Sequence, residues 1–128
     1  MRAILIPADE NERVREVDLP KGPWHLAFKQ YFEWFERVST VPLRDRFTDL
    51  DGDVVMVVDE EGRVYDRPYN RRASFLYAPG AEHHRHYIAG DALLVGEGMT
   101  EDGLDFVPLQ ERVGVIDVEE LIERYEKR

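Results

Sequence analysis

Residues 53–72 read DVVMVVDEEGRVYDRPYNRR, and this stretch decides the fold. Val54 to Val58 is a continuous run rich in β-branched residues, the signature of a central strand covered on both faces. Asp59-Glu60-Glu61-Gly62 then supplies a tight turn with glycine where a positive φ is needed, and Arg63-Val64-Tyr65 is expected to return along the strand. Asn70 is placed to cap a short helix from Arg71 to about Tyr77, which Pro79-Gly80 stops.

Upstream, Arg2 to Pro7 reads as a short buried strand. Val14 to Leu19 alternates apolar and polar residues and pairs back on it. Pro23 opens a helix whose apolar positions Trp24, Ala27, Phe28, Tyr31, Phe32, Trp34, Phe35 and Val38 recur at helical spacing. Such an aromatic face could dock a partner, but packing against a sheet is the simpler use of it. Burial stabilises by roughly 1.5–3 kcal/mol per large side chain before entropy is subtracted. Val41-Pro42-Leu43 reads as an edge strand, because proline cannot donate to a sheet ladder.

Downstream of the decisive stretch, Ile88-Ala89-Gly90 turns into a last buried strand, Ala92 to Gly96. Gly96, Gly98 and Gly103 mark a mobile loop up to Leu104, and Phe106-Val107-Pro108 a short edge segment. Asp117 is expected to cap a final helix, about 117–127, with Glu120 completing a capping box. Its stripe is Val118, Leu121, Ile122 and Tyr125, and Arg124, Lys127 and Arg128 lie at the end where the helix dipole favours cations. The expectation is a single α+β domain over residues 1–128, a mixed or antiparallel sheet packed by the aromatic amphipathic helix and the C-terminal helix.

The composition closes off several functions. The 128 residues contain no cysteine, which excludes disulfides, thiol nucleophiles and cysteine-ligated metals, and fits a cytoplasmic location. No apolar run approaches the ~18 residues of a membrane span, so no membrane role is expected. A net charge of −10 repels nucleic acid at long range, so direct nucleic-acid binding is not expected, whereas a basic protein partner is. Asp49, Asp51 and Asp53 alternate around Gly52, but no distal glutamate follows, so the segment is a hydrated acidic turn rather than a calcium loop.

The order and wording of several segments resemble a known family, the domain-of-unknown-function family numbered three-eight-four-six. The matching features are MRAILIP at the start, the helix leading into VSTVPL, VVMVVDEEGRV, PYNRRA, and HYIAGDALLVGE, covering roughly Met1 to Glu97. The aromatic first helix and the histidine insertion at Ala81 to His86 depart from the family pattern. Members are scattered through bacteriophages, plasmids and the bacteria that carry them. The resemblance therefore implies an accessory protein of a mobile element, and it supplies no chemistry.

Two stretches could carry chemistry. From Arg67 to Gly90, four arginines stand against one acid, a local charge of +3 that leaves −13 for the rest of the chain. Arg67, Tyr69, Asn70, Arg71 and Arg72 form a candidate nucleotide or phosphate site, since guanidinium forks beside aromatic rings and backbone N–H groups at a helix start suit an anion. The competing reading is that these arginines pair internally with the chain's many carboxylates. Second, Glu82, His84 and His86 share a face in extended structure and form a candidate metal-ligand set, with Arg85 between them opposing a cation. No nucleophile elbow, P-loop or cofactor signature is present. The sequence therefore points first to non-catalytic binding of a protein partner, a host factor. Asp102, Asp105, Glu119 and Glu123 are candidate members of an acidic decoy face.

Overall fold

The structure is a computed structural model that describes residues 1–20, 23–32, 38–44, 53–60, 65–77 and 87–127. Its elements are β1 (Arg2–Ile6), β2 (Arg15–Asp18), α1 (Trp24–Phe28), β3 (Val38–Val41), β4 (Asp53–Asp59), α2 (Arg71–Leu76), β5 (Ala92–Thr100), β6 (Gly103–Val107) and α3 (Val115–Glu126). Every strand pairing is antiparallel, and the sheet runs β2-β1-β5-β4-β3 with β6 also on β5. β1 pairs with Ala92 to Leu94 and β6 with Gly96 to Thr100, both on the edge of β5 away from β4. The two short strands thus lie end to end, and Leu109 N–H donates to Arg2 O at 2.9 Å where they meet.

The β-branched run does what its composition dictates. Val54, Met56 and Val58 face one core and Val57 the other, all nearly inaccessible. The first core joins Ile4, Ile6, Met56 and Leu94 to Ala73 and Leu76 of α2 and Val118, Leu121 and Ile122 of α3. The second joins Ala3, Leu5, Val57 and Leu93 to Ala27 and Phe28 of α1. The sheet is therefore a middle layer, as an α+β domain with apolar strands on both faces requires.

The aromatic face of α1 is core. Phe28 is 1 % exposed and packs edge-on against Phe106 at 5.4 Å and Phe32 at 6.3 Å. Trp24 lies 5.3 Å from Phe106, and its indole N–H donates to Asp105 Oδ1 at 2.8 Å, so its one polar atom is satisfied at the rim. The helix is shorter than its periodicity suggested. It gives way to a turn after Phe28, and Val38 belongs to β3. Trp34 and Phe35 lie outside the described residues.

Four further boundaries differ from the sequence reading, each for a physical reason. Both edges of β4 are occupied, by β3 and β5, so Tyr65 has no edge to return along and sits in a turn with Asp66 at φ 56°. Arg63 and Val64 lie outside the described residues. The expected edge strand is β3, which starts three residues before Val41 and ends two before Leu43; the proline follows its last residue. The expected loop from Gly96 to Leu104 is instead the β5–β6 hairpin. A Cβ on Gly96 would stand 2.7 Å from Pro108 O, so that glycine marks a close backbone approach inside a strand. Of Gly96, Gly98 and Gly103, only Gly103, at φ 104°, has the positive φ of a turn glycine. Finally, α3 begins at Val115, two residues before the expected 117–127. Asp117 accepts Gly114 N–H at 2.8 Å, so it holds the first turn from inside the helix rather than capping it.

Candidate functional site

The arginine–asparagine segment is built around Asn70, which is fully buried. Its Oδ1 accepts Ala73 N–H at 2.9 Å and so caps α2, as its position in the sequence suggested. Its Nδ2 donates to Ile6 O at 2.9 Å and to Gly90 O at 3.0 Å. One side chain thereby ties α2 to the end of β1 and to the turn before β5. Tyr69 and Ala89 form a bridge beside it, and the Tyr69 and Tyr87 rings meet edge-on at 5.4 Å on the surface.

The arginines of the segment do not converge. The Arg71 guanidinium holds Glu10 and Glu126, the latter at 2.8 Å. The hydrogen bond to Glu10, with the charges of Glu10 and Glu126, raises Arg71 above its ordinary pKa against the opposing effect of burial. Arg72 Nη2 donates to the carbonyls of Pro7 at 2.7 Å, Asp9 at 3.1 Å and Glu12 at 2.9 Å, closing the β1–β2 connection. Internal pairing is thus the use both arginines already have. Because α2 has six residues and Asn70 already accepts Ala73 N–H, its start offers little to an anion. Arg67 points elsewhere, into a separate cleft. Glu82, His84 and His86 lie outside the described residues. Among the described residues, no group of three histidines and carboxylates is disposed to hold a metal ion.

That cleft, of about 440 Å³, opens at one end of the sheet on the α1 face. It is lined by Lys29 and Phe32 beyond the end of α1, Asp59 at the end of β4, Arg67 before α2, and Asp9 and Asp91 beside the ends of β1 and β5. Asp91 Oδ1 accepts Ala8 N–H at 2.9 Å and Asp9 Oδ1 accepts Asn11 N–H at 2.9 Å, so two of the carboxylates are fixed by backbone donors. A second depression of about 340 Å³ shares Asp59 and reaches Ser39, Tyr77 and Tyr87. A third, of about 400 Å³, lies on the opposite face between the β1–β2 turn and α3, where Glu10, Glu12 and Glu119 gather with Arg13 and Arg72. Of the residues that line the first cleft, the sequence's candidate ligand-binding residues include only Arg67. Lys29, Asp59 and Asp91 are far apart in the chain, and no spacing rule links them.

No helix among the described residues is long and apolar enough to cross a membrane. The fold is similar to part of a solved structure, "Crystal structure of small RNA methyltransferase HEN1", with a TM-score of 0.62 and 16 % identity over 92 % of this chain. This chain spans 16 % of that protein's length, and at such identity the likeness extends to the fold alone. No curated protein matches the chain. The model of the family described as Domain of unknown function (DUF3846) matches residues 1–126, nearly the whole chain, and the chain belongs to that family.

Proposed function

We propose that this protein acts by non-catalytic association with a basic protein surface, in the cytoplasm of a cell carrying the mobile element that encodes it. The observation that carries this reading is the acidic face shared by α3 and the β1–β2 turn. Glu119, Glu120, Glu123 and Glu126 are exposed along α3, and Glu10 and Glu12 are exposed on the turn beside them. Arg71 grips Glu10 and Glu126 together, so the turn is braced against the helix and the carboxylates keep a fixed spacing. Arg13 and Arg72 stand among these carboxylates and Lys127 pairs with Glu123, so the face is mixed, with carboxylates in excess. A pre-arranged array of this kind loses little entropy on binding a partner of complementary charge. Asp102 and Asp105 do not belong to that array. Asp102 is at the tip of the β5–β6 hairpin, and Asp105 accepts the Trp24 indole N–H.

The test is capture of a host protein by the tagged chain at low and high salt. The Glu119→Lys/Glu123→Lys double variant is compared with Asp102→Lys. Capture that fades with salt, disappears in the double variant and survives in Asp102→Lys supports the reading. Capture indifferent to both salt and the double reversal refutes it. The alternative is a phosphorylated ligand held by Arg67, Arg71 and Arg72. Such a ligand would have to displace Glu10 and Glu126 from Arg71 and three carbonyls from Arg72.

A further inference from the structure

We propose that the outer edge of β3 takes an extended segment of a partner protein in which apolar and basic residues alternate. The segment would add a strand to the sheet. Its apolar side chains would enter a depression on the α2 side of β3, and its lysines or arginines would face another on the α1 side. The inference does not rest on the acidic face of α3.

Among the described residues, three strands border the sheet, and two of them are guarded. β2 presents exposed Arg15, Glu16 and Asp18, and charges on an edge oppose an incoming strand. On β6, Phe106 N–H is already donated to Asp105 Oδ1 at 2.8 Å. β3 pairs with β4 on one side, and no described strand lies along the other. Its residues Val38, Ser39, Thr40 and Val41 carry no charge. Pro42 follows and, lacking an N–H, ends the ladder there. A chain laid along Val38 to Val41 gains main-chain hydrogen bonds, and the depressions it crosses select its side chains.

β3 has one such depression on each face. Ser39, Val41 and Val58 line the depression of about 340 Å³ on the α2 side, where Ile88 and Ala89 are buried and Tyr77 is half-buried. Thr40, Val55 and Glu97 line another of about 180 Å³. Thr40 lies opposite Val57, and Glu97 follows Val95 by two residues, so both turn to the α1 side. Consecutive side chains of an added strand point to opposite faces, so each depression receives every second one. The first has an apolar floor, with exposed Glu60 at its rim. The second is smaller and carries Glu97. Among the described residues, no lysine or arginine lines either of them. A segment alternating apolar and basic residues matches both faces. A second copy pairing through its own uncharged β3 would bring no cation to Glu97.

The experiment is a titration of the ¹⁵N-labelled protein with the peptide acetyl-TKVKFKT-amide, followed by amide chemical shifts. The expected result is saturable binding with Kd of about 0.1 mM or tighter. Shifts should centre on residues 38–42, 54–58, 87–89 and 97. Reversing the peptide charges (TEVEFET) or breaking the alternation (TKKVFKT) should weaken binding at least about tenfold. Glu97→Lys in the protein should do the same, while Asp102→Lys at the hairpin tip should leave binding unchanged. N-methylation of the valine and phenylalanine strips donors from one edge of the extended peptide, and N-methylation of the lysines strips them from the other. Only one of the two should therefore abolish binding. Absence of saturation by about 1 mM overturns the proposal. So do equal effects of the two methylations, control peptides binding as tightly as the parent, or binding that Glu97→Lys does not weaken. Shifts centred on residues 15–18, 103–107 or 115–126 overturn it as well. So do β3 shifts that grow with protein concentration in the absence of peptide, which would mean that a second copy takes the edge.

Discussion

Removing the Asn70 side chain should loosen α2, the end of β1 and the turn before β5 together. Asn70→Ala deletes the cap on Ala73 N–H, at about 1 kcal/mol, and the two bonds to Ile6 O and Gly90 O, at about 1 kcal/mol each. A loss of about 3 kcal/mol is a large share of the 5–15 kcal/mol by which such domains are stable. With a urea m-value of about 2 kcal/mol/M, the far-UV circular dichroism midpoint should fall by roughly 1.5 M. Asn70→Asp sharpens the test. It keeps the cap acceptor but sets a carboxylate oxygen where the amide donates to two carbonyls, inside a fully buried site. Desolvation and those carbonyls raise the folded pKa of the introduced acid above its unfolded value. The deficit is therefore complete above the raised folded pKa and shrinks as pH falls through it. At neutral pH Asn70→Asp should be at least as unstable as Asn70→Ala. Relative to wild type at the same pH, it should recover on acidification, whereas Asn70→Ala should not. A loss below about 1 kcal/mol in Asn70→Ala, or no pH dependence in Asn70→Asp, would refute the reasoning.

Two further outcomes follow from single contacts. Gly96→Ala drives a Cβ onto Pro108 O and should cost about 1–3 kcal/mol, read as a lowered Tm. Gly98→Ala, whose Cβ would meet nothing among the described residues closer than Val107 Cγ2 at 3.6 Å, should stay within about 0.5 kcal/mol, so equal losses at both sites would contradict the close approach. On α3, the hydrogen bond from Lys127 to Glu123 at 2.8 Å lowers the Glu123 pKa, with the Lys127 charge adding to it. The contribution of that pair is present above the ordinary carboxylate pKa and is lost as pH falls through the lowered value. A carboxyl ¹³C titration should give Glu123 a lower midpoint than in Lys127→Met; identical midpoints would mean that the pair does not form in solution.

How much of this was legible in the sequence depends on how local each cause is. The run Val54 to Val58, the alternation of Val14 to Leu19, the Asn70 cap and the apolar stripe of α3 are set by neighbours within a few residues. Hydrophobic period and capping chemistry were therefore enough to place them. The same local rules misplaced the glycine-rich stretch after Ala92. A strand glycine that yields to Pro108 O and a turn glycine at positive φ look alike in sequence, and only pairing with β6 separates them. Likewise, a strand returning along β4 was plausible until β3 and β5 had taken both edges.

The candidate site divides the same way. The sequence by itself determined the charge surplus, the absence of cysteine chemistry and the clustering of arginines near Asn70. Tertiary structure decided which carboxylates those arginines meet. Glu10 and Glu126 lie at opposite ends of the chain and reach Arg71 because α2 and α3 share one face of the sheet with the β1–β2 turn nearby. It also separated Arg67 from Arg71 and Arg72 and set it with Lys29 and Asp59 around a common cleft. Electrostatic sites form between residues that the fold brings together, and attraction falls off with distance through space rather than along the chain.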